Sequence, residues 1–318
     1  MRLIITIDTE EDGWDSYTTL SSSVRNIERL PLLQELFDNF GVKPTYLITY
    51  PVASDHGSVA ILKAIHGAGR CEIGSHCHPW NTPPFEEERS SANTMLCNLK
   101  KRLQFRKMSF LHMTIEKNFG ISPVSFRCGR WGYNSDVAVN LQRLGYKVDT
   151  SIAPFMDWSP YEGPDFSRIG PGAFRFEAED IFRESPDGPL LEVPATVGFY
   201  QRNFSMSGRV LRLLTAKPLN KLRLYGMLYR LSLLNRVWLS PEVSDARGMI
   251  RLARKMKKNG YPFLNMAFHS PNLCFGMTPF VKTKDEEKIF LERIREFLAF
   301  ARDEGIDSIK LSESVNHI

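Results

Sequence analysis

Short apolar runs alternate with helix-patterned stretches through the first two-thirds of the chain, and this alternation confines it to a mostly parallel α/β sheet, open or closed into a barrel. Residues 3–7 are an apolar run that ends in acids. Residues 27–40 carry apolar side chains at helical spacing before Gly41, a helix stop. A strand is expected at 43–50, a short helix at 59–66, and a strand at 71–75 leading into His76. The pattern predicts one long helix over 86–119, with Glu86, Glu87 and Glu88 in its first turn, where acids suit the helix dipole. A strand at 123–127, a helix at 135–144 and a strand at 146–151 follow. The alternation resumes with a strand at 263–268, a helix at 284–303 and a short last strand at 308–311. At 318 residues and 42% hydrophobic composition, one barrel spanning 1–318 accounts for the whole chain.

The section from about 165 to 240 interrupts this order and reads as an insertion on the barrel, with β segments at 173–176 and 190–193. Between Glu192 and Glu242 there is no acid, while Arg202, Arg209, Arg212, Lys217, Lys221, Arg223, Arg230 and Arg236 are interleaved with apolar residues. Two readings stand side by side: a packed insertion with a solvated basic face, or a surface segment at an anionic membrane. Nucleic acid is not expected, because a net charge of +5 with few aromatics placed for base stacking is a weak signal. The first residues hold no signal-peptide core, so the expected location is cytoplasmic, with 202–236 as a peripheral contact to the inner membrane face. Five cysteines without CxxC spacing read as reduced, mostly buried thiols; thiolate ligation by Cys77 or Cys128 is the minor alternative.

Four strand ends deliver reactive residues: the acids from Asp8 to Asp12, His76 with His78, Arg127, and His269. In parallel α/β folds such groups collect at one end of the sheet. Residues i and i+2 on a strand face the same way, so His76 and His78 can point together. Two imidazoles plus one carboxylate give a three-ligand site with an open position, as catalytic zinc requires. Asp8 and Glu10 share that spacing and offer one carboxylate as ligand and the other as base. Arg130 and Trp131 suit sugar binding, and equally suit a packed Trp beside a paired Arg. His56, His66, His112 and His317 read as surface or partly packed positions.

Taken in order, Ile5-Thr6-Ile7-Asp8 with Glu10, Glu72-Ile73-Gly74-Ser75-His76, Phe126-Arg127-Cys128-Gly129-Arg130-Trp131-Gly132, Asp149-Thr150-Ser151 and Phe268-His269-Ser270-Pro271 resemble the motifs of the polysaccharide deacetylase (NodB-homology) family. The runs 78–84, 239–242 and 268–271 resemble its WalW-like branch. The resemblance implies a single distorted (β/α) barrel and assigns roles. Asp8 matches the catalytic base, Arg127 the arginine that orients it, His269 the general acid, and Asp149 the acid that orients His269. Glu10 takes the metal-ligand role, since Thr9 replaces the acid that usually follows the base. His76 matches the first metal histidine; Trp80 stands where the second is usual, and His78 is the nearest candidate. Trp80, Arg130 and Trp131 are the expected substrate contacts.

The implied chemistry is metal-assisted amide hydrolysis, with zinc as the first choice among divalent transition ions. The expected substrate is an N-acylated amino sugar in a surface-polysaccharide or lipid-linked precursor. Two rivals differ in class: a metal-free carbohydrate-binding or scaffolding protein on a decayed barrel, and a deformylase or other C–N hydrolase of a small molecule.

Overall fold

The computed structural model describes residues 1–14, 17, 23–216, 219 and 223–318. Its strands are β1 (Arg2–Thr9), β2 (Thr45–Ile48), β3 (Glu72–Cys77), β4 (Ser125–Cys128), β5 (Val148–Asp149), β6 (Phe174–Phe176), β7 (Leu190–Glu192), β8 (Val197–Phe199), β9 (Arg236–Trp238) and β10 (Phe263–His269). Its helices are α1 (Leu30–Asp38), α2 (Tyr50–Ser54), α3 (His56–Gly67), α4 (Lys101–Phe119), α5 (Ser135–Arg143), α6 (Phe204–Thr215), α7 (Leu224–Arg230), α8 (Ala246–Lys258) and α9 (Lys284–Asp303).

The main sheet runs in the order β10-β1-β2-β3-β4-β5-β7-β6. Every pairing is parallel except β6 on β7. β1 reads as a continuous apolar run because it is buried on both faces, as parallel strands are. The sheet curls, and a seam links the segment after β7 to β10. Thr196 N donates to Asn265 O (3.0 Å), Leu239 N to Thr196 O (2.8 Å) and Ala267 N to Leu239 O (3.2 Å). The result is a distorted (β/α) barrel. Direct pairing of β10 with β1 sets His269, at the end of β10, beside its register partner Asp8.

Local chemistry accounts for most boundaries. Asp55, Asn134 and Asp245 cap α3, α5 and α8, and Thr283 with Glu286 forms a capping box on α9. Phe268 and Phe290 meet at 5.6 Å between β10 and α9, both fully buried. Gly74 is required in β3, because a Cβ there would lie 2.7 Å from both Leu47 and the Ser125 carbonyl.

Several expected boundaries shift. Only Lys101–Phe119 of the 86–119 stretch is α-helical, with short 3₁₀ turns at Ala92–Thr94 and Leu96–Asn98 before it. Before it, Asn93 Nδ2 donates to Glu88 O, Thr94 Oγ1 to Ser91 O and Asn98 Nδ2 to Ala92 O, local bonds that compete with a helix. Glu86 and Glu87 therefore lie in a loop and pair with Arg106 and Lys107 of α4. Residues 25–29 form a 3₁₀ turn before α1, which starts with Pro31 in its first turn. The last expected strand shrinks to one bridge, Ser308 to Leu3, followed by a 3₁₀ helix at Leu311–Asn316. β6 and β7 belong to the main sheet rather than to an insertion, so the excursion begins only after β8. His112 is buried, bonded to Tyr146 and paired with Glu116.

Candidate functional site

Two strand ends meet in one ring of three side chains. Beyond β1 the chain places Glu10, and β3 with the residue after it presents His76 and His78 on one face, while Cys77 between them is buried on the other. Nε2 of His76 and Nε2 of His78 stand 2.9 Å apart; Glu10 Oε2 is 3.6 Å from the first and 3.3 Å from the second. All three side chains are buried. Gly129 makes room, since a Cβ there would collide with the His78 ring.

Both imidazoles are aimed from behind. His76 Nδ1 bonds the Arg127 carbonyl (3.0 Å), which can only accept, so that nitrogen carries the proton and Nε2 carries a lone pair. His78 Nδ1 bonds Glu11 Oε1 (2.9 Å), and Asn81 Nδ2 donates to the same oxygen (2.6 Å). Two lone-pair nitrogens face to face repel unless a proton or a cation lies between them. In the protein without metal a proton takes that place: burial opposes the charge on His78, but Glu11 and Glu10 outweigh it and raise its pKa to about 9. Ligands on one tetrahedral zinc stand roughly 3.3 Å apart, near the three separations found here. The donor set therefore fits a divalent transition ion.

Asp8 borders this ring. Its Oδ2 is 3.8 Å from His76 Nε2 and 3.5 Å from His269 Nε2, and its Oδ1 accepts from Arg127 NH1 at 2.6 Å. Burial alone would raise the Asp8 pKa; Arg127, with His76 and His269, outweighs it and holds the carboxylate ionised below its ordinary range. Arg127 is itself fixed by Thr150 O (3.0 Å), Thr6 Oγ1 (2.6 Å) and Thr150 Oγ1 (3.2 Å).

His269 completes the site, and its orienting acid is not Asp149. The carboxylate of Asp149 accepts from Ser151 N (3.0 Å) and Ser151 Oγ (2.8 Å) and lies against Glu192; burial holds both acids above their ordinary pKa. Glu242 holds His269 instead, with Oε1 2.8 Å from Nδ1. Burial would lower the His269 pKa, but Glu242, Glu10 and Asp8 outweigh it and raise it to about 10.

Around this ring lies a cavity of about 470 Å³, and all five tryptophans of the chain (Trp14, Trp80, Trp131, Trp158 and Trp238) line it. Trp80 stacks on the His78 ring at 4.1 Å, Trp14 meets His269 edge-on at 4.9 Å, and Trp131 lies under the Arg127 guanidinium at 5.3 Å. Arg130 and Trp131 adopt left-handed backbone angles (φ 53° and 59°), a strained conformation for residues with side chains. Both line the cavity, and Arg130 also donates to Thr94 Oγ1.

No family model and no curated protein matches the sequence. Solved structures do. A protein from Mycobacterium smegmatis described as a polysaccharide deacetylase superposes with a TM-score of 0.56 at 14% identity, over 99% of this chain and 90% of that one. One from Parabacteroides distasonis, described as a glycoside hydrolase/deacetylase, gives 0.60 at 10% identity, over 98% and 69%. The fold is that of the polysaccharide deacetylases. A 4-alpha-glucanotransferase from Thermococcus litoralis also matches, with a TM-score of 0.52 at 12% identity, over 100% of this chain and 38% of that one. Fold alone thus leaves the reaction open, and the polysaccharide-deacetylase fold has to be read through the residues at its strand ends.

Glu11, Glu242 and three of the tryptophans were not singled out as functional from sequence. Glu11 directly follows Glu10, and Glu242 ends the run Leu239-Ser240-Pro241-Glu242 already noted for its resemblance, so both were signalled without a role. Trp14, Trp158 and Trp238 are scattered in the chain and only the fold gathers them.

Proposed function

We propose that the protein is a metal-dependent hydrolase that removes an acyl group, acetyl in the first instance, from the nitrogen of an amino sugar. The observation that carries this reading is the meeting of Glu10, His76 and His78 with an ionised Asp8 on one side and an imidazolium-prone His269 beside it.

A divalent ion, zinc as the first choice, held by Glu10, His76 and His78 would supply a nucleophilic water at neutral pH and polarise the acyl carbonyl. Asp8 takes the proton from the attacking water; Arg127 keeps that carboxylate ionised and its reactive oxygen turned to the ring. His269, charged at neutral pH and steadied by Glu242, gives its Nε2 proton to the departing amine, without which the C–N bond breaks poorly. The tryptophans around the ring offer flat apolar faces to the C–H face of a sugar ring and exclude water from the reacting atoms. The WalW-like motif runs favour a surface-polysaccharide precursor, soluble or lipid-linked, as the carrier of that sugar.

The test is acetate release from N-acetylated amino sugars by protein reconstituted with zinc, alongside metal content by elemental analysis. One ion per chain and acetate release that a chelator abolishes are expected. Sugar binding with no metal at saturating zinc would overturn the reading in favour of a binding protein.

A further inference from the structure

The acid-free stretch between Glu192 and Glu242 contributes little of its charge to the fold. Arg212 NH1 donates to the Ser167 carbonyl (2.9 Å) and Arg236 NH1 to the Phe155 carbonyl (2.8 Å), so these two are turned inward. Arg202, Arg209, Arg223 and Arg230 are exposed, and none forms an ion pair among the described residues. Lys217 and Lys221, the other two basic residues of the stretch, lie outside the described residues.

Beside those arginines the chain exposes Met206, Leu213, Met227, Tyr229, Leu231 and Leu233, each between 49% and 64% accessible. The contrast with α8 is instructive. α8 buries Met249, Leu252, Ala253 and Met256 and turns its lysines outward, as a helix packed on a core should. α7, Leu-Tyr-Gly-Met-Leu-Tyr-Arg, buries none of its residues. Apolar side chains contiguous on a surface and interleaved with cations mark a contact face.

We propose that α6, α7 and the turn after α7 form a surface that seats this protein on an anionic membrane. Charge decides between the candidate occupants. In a two-fold contact between copies the same patch meets itself, which would set unpaired arginines against arginines with no acid in the stretch to answer them. A bilayer rich in anionic headgroups answers all of them, while the Leu, Met and Tyr side chains enter the interface. No helix among the described residues is long and apolar enough to cross a membrane.

The placement has a consequence for the cavity. α7 leads within a few residues into β9, whose Trp238 lines the cavity 5.8 Å from Trp131. A membrane under α6 and α7 therefore lies beside the cavity wall, where a sugar on a lipid carrier would arrive. That last step rests on the proposed hydrolase reading; the membrane contact does not.

Co-sedimentation of the full chain with vesicles of phosphatidylcholine alone, and of equal parts phosphatidylcholine and phosphatidylglycerol, tests it. Binding only to the mixed vesicles at low salt, with release as salt rises, is expected. The triple variant Arg209→Gln, Arg223→Gln, Arg230→Gln should lose about 10²-fold in vesicle affinity while keeping its turnover on a soluble acetylated amino sugar. A second variant, Leu213→Gln with Leu231→Gln, should weaken binding with charge unchanged. Equal binding to both vesicle types, no binding at low salt, or a stable dimer by light scattering that these variants dissolve would each overturn the proposal. Absent hydrolysis with vesicle binding intact would sink the hydrolase reading alone.

Discussion

One oxygen of Glu242 accepts from both the backbone nitrogen and Nδ1 of His269, at 2.7 and 2.8 Å, and from Asn272 Nδ2 at 2.6 Å. The acid thus fixes ring orientation and charge together. His269 is raised from 6.5 to about 10, so in the metal-free protein its stabilising charge is complete below about 6.5 and lost as pH rises through about 10. A cation at Glu10 offsets that acid's share, placing the alkaline limb of turnover between those values. Glu242→Gln should move the limb toward 6.5, read from kcat against pH. An unmoved limb would remove Glu242 from this role.

Asp8 and His269 carry the proton transfers in the proposed reaction. Asp8→Asn should retain bound metal while lowering kcat by about 10²–10⁴-fold, and His269→Ala should cost a similar factor. Steady-state kinetics beside metal analysis separates lost chemistry from a lost ion.

Glu11 aims His78 without belonging to the ligand set. Glu11→Ala should weaken metal affinity by about 10–100-fold, the usual cost of losing such a partner. Competition titration against a chelator measures it, and an unchanged affinity would contradict the role.

Arg127→Met leaves Asp8 buried beside an apolar side chain. Removing one member of a buried ion pair costs about 3–5 kcal/mol, so urea unfolding should register a loss of that order. The carbonyl that bonds His76 Nδ1 belongs to the backbone and survives the substitution, so metal binding should outlast the loss of turnover.

Lys107 on α4 is fully buried, and its ammonium donates to Pro79 O (2.8 Å) and Thr82 O (2.7 Å) and pairs with Glu87 (2.8 Å). All three of its protons are used to hold the loop that carries His78 and Trp80. Lys107→Met should loosen that loop, seen as faster amide exchange over 79–87 and weaker metal binding.

The parallel strands and the Asp8, Glu10, His76, His78 cluster were legible because strand periodicity and i, i+2 spacing are local properties. The partner of His269 was not. Asp149 and Glu242 both follow apolar segments, and only the seam through Thr196 and Leu239 decides which reaches β10. The expected helix over 86–119 falls short for a related reason: the side chains of Ser90, Asn93, Thr94 and Asn98 take up local backbone bonds, which apolar spacing does not register.

Because every tryptophan of the chain borders one cavity, the protein carries its own optical reporter. Excited selectively, tryptophan emission comes from no other region, so a ligand entering the cavity acts on the whole of that signal. Tryptophan quenching can therefore rank sugars, metals and lipid-linked candidates on the unlabelled chain before any reaction product is known.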